Sequence, residues 1–369
     1  MQTYWSVEAI PARILDYIAA AVGGKLTPMQ ISIGFVIRPT NVEKRACERM
    51  NIRYWVASIG LVMFVAGSIQ SREIGSVSAG RLIVHKDFPS DFVAPRDVFV
   101  WLPEEYTRDT TYPVVYVHDG QSLFYADSSN DGFANGEWEL DETASALIAS
   151  GKVVPFIAVG IANSPFRHSE YFPAKVTQRL TSLQKDFLIS RAMDHQVATF
   201  SDPPKADAYL KFIIKELMPA IEGHYSVATG LENTVLMGAS MGGLISLYGL
   251  VEYPETFGGA VCISSNWPGI THRLPLLEAN NNPIPPAIYR YLQAHLPRAG
   301  QHTIYFDFGT QGLDALYPPL QKEVDGIMRN KGYTANDWMT FRDQGAEHSE
   351  AAWQARLHRP LQFILSPRE

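Results

Sequence analysis

The run Val235-Leu236-Met237-Gly238-Ala239-Ser240-Met241-Gly242-Gly243 does more than any other stretch to limit the folds open to this chain. An apolar, strand-like lead passes through Gly-x-Ser-x-Gly straight into the amphipathic segment Leu244-Ile245-Ser246-Leu247-Tyr248. A serine between a strand and a helix sits on a sharp turn, which pushes its hydroxyl out at the carboxyl edge of a sheet, over a helix N-terminus. Glycines flank it because the turn is tight and the helix must pack closely on its neighbours. The five-letter pattern by itself is common, and its plainest reading is a Gly-rich turn. Strand before and helix after make Ser240 a candidate nucleophile.

The rest of the chain supplies a sheet to carry that turn. From about residue 80 the pattern alternates, with strands predicted at 81–86, 97–101, 113–117, 154–161, 233–237, 258–264, 303–308 and 338–342. Helical patterns between them predict an α/β architecture: a mostly parallel eight-stranded sheet with helices on both faces. No helix separates the first two strands, so they should form an antiparallel edge. A helix over 206–222 presents Tyr209, Phe212, Ile213, Leu217 and Ile221 on one face, and Pro219 should kink or end it. Residues 164–205 and 265–300 are long, irregular and follow strands at the carboxyl edge. They should overhang Ser240 and shape a pocket, with Trp138 and Trp267 lining it or simply packing in the core.

A serine nucleophile needs a base to take its proton and a carboxylate to orient the base. Of the histidines after Ser240, His272 and His295 lack strand context, His302 precedes a strand, and His358 lies in a helical pattern. His348 follows the strand-like Trp338-Met339-Thr340-Phe341, in the loop Asp343-Gln344-Gly345-Ala346-Glu347-His348, and is the candidate base. Asp314 lies in the loop after strand 303–308, with two glycines to let that loop bend, and is the candidate acid. Its rivals are Asp307, which points to a sheet face, and Asp343 and Glu347, which lie too near His348 in sequence. An oxyanion would be met by the backbone N–H of Met241 and, from the loop after strand 113–117, by that of Gln121. In that loop Gly120 should let the backbone turn inward, while His118 and Asp119 brace it.

These pieces resemble the esterase branch of the α/β hydrolases, which includes feruloyl and acetyl-xylan esterases, S-formylglutathione hydrolase, enterochelin-type esterases and mycolyltransferases. The likeness rests on Trp101-Leu102-Pro103 with Tyr106, and on Tyr112-Pro113-Val114-Val115-Tyr116-Val117-His118-Asp119-Gly120-Gln121. It continues through Gly238–Gly243, Asp307-Phe308-Gly309-Thr310 with Leu313-Asp314, and Glu347-His348-Ser349-Glu350. It spans roughly residues 80–365. The resemblance implies an α/β-hydrolase fold, the triad Ser240, Asp314 and His348, and no metal or organic cofactor. Asn163–Pro173 also looks like a segment near the site in some members. There, Arg167 would bind an anionic group or pair with Glu170.

A net charge of −7 and the lack of any basic run offer no footprint for nucleic acid, and 46% hydrophobic content supports a large core. The two cysteines, Cys47 and Cys262, make no disulfide framework. Tyr54–Ile69 is nearly uncharged and follows Arg53; read from Met50, residues 50–70 form a compact export signal, with an uncleaved anchor as the alternative. Residues 1–49 precede the true start or form an extension, and 80–369 form the catalytic domain. The expected protein is a periplasmic or secreted serine esterase acting on a small-molecule or carbohydrate-linked ester. Its competitors are an acyltransferase with the same triad and a catalytically silent binding protein of hydrolase-like fold.

Overall fold

The computed structural model describes residues 71–73, 77–124, 136–186, 203–269 and 282–367; the extension 1–49 and the signal-like segment 50–70 lie outside them. A nine-stranded sheet organises these residues. It comprises β1 (Ser71–Glu73), β2 (Arg81–Phe88), β3 (Arg96–Leu102), β4 (Val114–His118), β5 (Ile157–Ile161), β6 (Thr234–Ala239), β7 (Gly259–Ile263), β8 (Thr303–Phe308) and β9 (Trp338–Arg342). The eight expected strands are all present. The ninth, β1, is three residues long, too short for a period-two pattern to announce.

Spatial order is β1-β2-β3-β5-β4-β6-β7-β8-β9. Pairings β1–β2, β2–β3 and β3–β5 are antiparallel; every pairing from β5 to β9 is parallel. Strands β4 to β7 are buried on both faces, which is why they read as unbroken apolar runs rather than alternating ones. Val114 and Tyr116 belong to one core cluster with Tyr209, Leu244, Ile288 and Val324 from the helices of one face. Val115 and Val117 pack on the other face with Leu140, Leu147, Trp353 and Leu361. Cys262 is buried in β7 as a free thiol, and burial pushes its pKa up.

From β4 the chain crosses to β5 on one side, and from β6 it proceeds through β7, β8 and β9 on the other. The carboxyl ends of β4 and β6 therefore flank the point where the winding reverses, where open α/β sheets form their crevice. Pro219, expected to kink or end its helix, does not end it. The helix Ala206–Phe212 widens into a π-helical turn, Ile213–Leu217, and continues as Met218–His224 with proline near its start. A proline lacks the N–H and crowds the carbonyl four residues back, and a wider turn accommodates both.

Candidate active site

Ser240 stands between β6 and the helix Met241–Glu252 with φ 59° and ψ −119°, a backbone that a serine adopts only under constraint. Gly238 shows the reason for the glycines: a Cβ there would lie 2.7 Å from the backbone of Gly242, so strand and helix cross too closely for any side chain. The elbow is tied to the loop after β7, with Ser240 N–H donating to the Ile263 carbonyl (2.9 Å) and Asn266 N–H to the Ser240 carbonyl (3.0 Å). Met241 begins the helix, so its N–H has no intrahelical acceptor and carries the positive end of the helix dipole.

Asp314 lies in the 3-10 turn Gly312–Leu316 after β8 and is fully buried. Its Oδ1 meets His348 Nδ1 at 2.6 Å, while Oδ2 accepts the N–H of Gly309 (2.6 Å) and the hydroxyl of Ser264 (2.6 Å). Burial alone would raise its pKa. The bonds from His348, Ser264 and Gly309 outweigh burial and hold the carboxyl below its usual range. The loops after β8 and β9 are sewn together, since Thr310 and Gln311 N–H groups both donate to the Ala346 carbonyl at 2.9 and 3.0 Å. His348 is met edge-on by Tyr317 (5.9 Å between ring centres) and Trp353 (5.1 Å). Asp307, the rival acid, points into the sheet face and pairs with Arg356 at 3.0 Å.

The loop after β4 lies beside the elbow. A Cβ on Gly242 would come within 3.3 Å of Asp119 Oδ2 and 3.4 Å of His118 Cβ. The left-handed backbone belongs to Asp119 (φ 59°) rather than to Gly120. Gly120 is glycine for another reason: a Cβ would strike the Gly160 backbone of β5 at 2.4 Å. Gln121, the second residue of the 3-10 turn Gly120–Ser122, has no acceptor within that turn for its N–H. Asn163 secures the loop from both ends, its N–H to Gln121 Oε1 (3.2 Å) and its Nδ2 to Asp119 Oδ1 (2.7 Å). Beneath it, His118 Nδ1 lies 2.8 Å from the Tyr209 hydroxyl.

The structure bears on three residues whose roles the sequence leaves open. Arg167 binds Asp119 through two bonds (2.6 and 2.8 Å) and not Glu170, which is held by Arg96 at 2.9 Å. Its charge is already matched, and the two bonds tie it to the loop that carries Gln121. Trp267 does not line a pocket; it is 1% exposed, donates to Gln321 Oε1 (2.8 Å) and packs on Phe306. Trp138, 2% exposed, packs edge-on against Trp353, in the layer behind His348. Each indole follows the apolar environment that its large ring needs, with its pocket-facing alternative closed by burial.

Sequence reasoning missed Ser264 and Arg356, whose partners come from elements distant in the chain and leave no local pattern. The two segments expected to overhang Ser240 are described only in part; between them, His168 Nε2 lies 3.1 Å from the Gly269 carbonyl. Among the described residues, Glu137, Asp141 and Glu142 form one carboxylate group with ligand atoms within 4.8 Å of one another. Asp141 already accepts the N–H groups of Ser78 (2.8 Å) and Ala79 (3.3 Å). No helix among the described residues is long and apolar enough to cross a membrane.

Comparison with known proteins bears on the family and the fold. The Esterase family model matches residues 91–364. YbbA of Bacillus subtilis (strain 168), an uncharacterized protein, is 28% identical over 169 residues, which cover 46% of this chain and 56% of YbbA. The chain thus spans little more than half the length of that relative. Solved structures of similar fold include a ferulic acid esterase (17% identity, TM-score 0.51, 77% of this chain and 98% of that one). Others are the enterobactin esterase FES from Shigella flexneri (16%, 0.53, 79% and 60%) and the BES protein from Bacillus cereus (16%, 0.52, 80% and 97%). At such identities the structural likeness speaks for the α/β-hydrolase fold alone. The family match covers most of the chain: this protein belongs to the Esterase family.

Proposed function

We propose that the chain is a serine hydrolase in which Ser240 attacks the acyl carbonyl of an ester. His348 takes the serine proton and passes it to the leaving alcohol, while Asp314 holds the imidazole tautomer and stabilises the imidazolium. The N–H groups of Met241 and Gln121 receive the developing oxyanion, and water then releases the acyl-enzyme. The observation that carries this reading is the 2.6 Å contact between His348 Nδ1 and the buried Asp314 carboxylate, which leaves Nε2 as the basic nitrogen. Both residues follow strands in the half of the sheet that also carries the Ser240 elbow. Export through residues 50–70 belongs to the same proposal, and N-terminal sequencing of protein recovered outside the cytoplasm tests it; a chain that retains Met1 refutes it.

Ferulic acid esters and enterobactin, the compounds for which the solved neighbours are named, are the first substrates to try beside short p-nitrophenyl esters. Ser240→Ala should lower turnover by several orders of magnitude without altering the melting curve. Undiminished hydrolysis by that variant would refute the mechanism.

A further inference from the structure

Ser264 follows β7, is fully buried, and holds φ at 40°, a left-handed backbone that serine seldom adopts. Strain of this kind persists where the surroundings over-determine a residue. Its Oγ has three partners: Asp314 Oδ2 at 2.6 Å, Arg356 Nη2 at 2.8 Å and Trp353 Nε1 at 3.2 Å. Guanidinium and indole N–H groups can only donate, so they occupy both lone pairs of the hydroxyl. The single O–H proton then has one destination, the Asp314 carboxylate. From behind, Arg356 is fixed by Asp307 Oδ1 (3.0 Å), and the Asp307 carbonyl accepts Ser264 N–H (2.9 Å).

Asp314 is the carboxylate that holds His348 Nδ1, and Trp353 is a ring that meets His348 edge-on. Two of the groups that orient His348 are therefore bonded to one oxygen. We propose that Ser264 is a positioning residue for ester hydrolysis: its O–H fixes the Asp314 carboxylate, and its oxygen anchors Trp353 against His348. This role rests on the mechanism proposed above and adds to it a residue that never touches the ester. Facing the pair are Arg356 and Asp307 from behind, with Asp343 beyond Arg356, and Tyr317 across Asp314. Glu350 stands beside His348, with Asp119 and Arg167 further out. None of these replaces the hydroxyl, since among the described residues the other bonds to Asp314 come from Gly309 and His348.

Ser264→Gly is the test, because glycine accepts the left-handed backbone and removes only the hydroxymethyl group. Active sites are counted with a fluorophosphonate probe, and turnover of a p-nitrophenyl ester is followed across pH. Per titrated site, kcat should fall about tenfold, the scale of one hydrogen bond to a charged group. KM should stay within about twofold, as expected for an interaction that does not bind substrate. With less of its charge drawn off by a donor, Asp314 favours the imidazolium more, so the acid limb of kcat/KM should move to higher pH. Wild-type kcat per site with an unmoved limb overturns the role, whatever the melting temperature, and leaves the hydrolase mechanism standing. Wild-type protein without Ser240-dependent turnover removes mechanism and role together. Should the glycine variant not fold, Ser264→Cys carries the test with a weakly donating thiol in the same place. The limb should move in the same direction, and an unmoved limb overturns the role.

Discussion

His118 shows how one buried side chain links the site to the stability of the fold. Burial, with Arg167 acting in the same direction against Asp119, pushes its pKa down to about 3. The folded protein therefore stays neutral at a position where the unfolded chain takes up a proton near pH 6.5. A depressed pKa contributes stability that is complete above the unfolded value and is lost as pH falls toward the folded one. Between about pH 6.5 and 3, this group should remove about 1.4 kcal/mol of unfolding free energy per pH unit. Urea titrations across that range should show a shallower slope for His118→Gln, which keeps a polar group facing the Tyr209 hydroxyl. Equal slopes in the two proteins would mean that His118 is not held neutral.

At the scale of elements, the site depends on how closely β6 approaches the helix Met241–Glu252. Gly238→Ala would place a methyl 2.7 Å from the Gly242 backbone and must lever the helix away. Overpacking of this kind costs about 1–3 kcal/mol, and on the proposed mechanism the displacement of Ser240 should lower kcat on the order of 10²-fold. Gly242→Ala meets its nearest atoms at 3.3 Å and should be milder on both counts. Calorimetry and turnover per titrated site separate the two variants, and equal behaviour would exclude the elbow geometry as the cause. This elbow was legible in advance because strand, turn and helix announce themselves within nine residues. Ser264 was not, because its bonds reach 50, 89 and 92 positions along the chain. The π-helical turn before Pro219 was hidden as well, since an apolar stripe does not tell an α-turn from a π-turn.

Across the whole molecule, the antiparallel half of the sheet is joined to the region after β5 by a buried ion pair. Arg96 on β3 binds Glu170 through two bonds of 2.9 Å, with the two side chains 1% and 2% exposed, and Ser164 adds a third bond to the carboxylate. The guanidinium also lies over Tyr209 and Phe212, 5.3 Å from each ring centre, so three segments meet at one charge. Removing one partner strands the other in a dry interior. Arg96→Ala should therefore cost about 3–5 kcal/mol in denaturant unfolding. Replacing both, as Arg96→Met with Glu170→Leu, should recover most of that loss. A single variant as stable as the wild type would show that the pair contributes little.

Local patterning determined much of this protein from its residues alone: eight strands, the elbow at Ser240, and the loops that present Asp314 and His348. Each is written in a short window, where apolar runs, glycines and a following helix constrain one another. Tertiary structure alone decided which charges meet, setting Arg167 on Asp119, Arg96 on Glu170, and Arg356 on both Asp307 and Ser264. It also sent Trp138 and Trp267 into the interior. The physical reason is range. Backbone preference acts over a few residues, whereas a buried charge or a large ring takes whichever partner the completed sheet brings within reach.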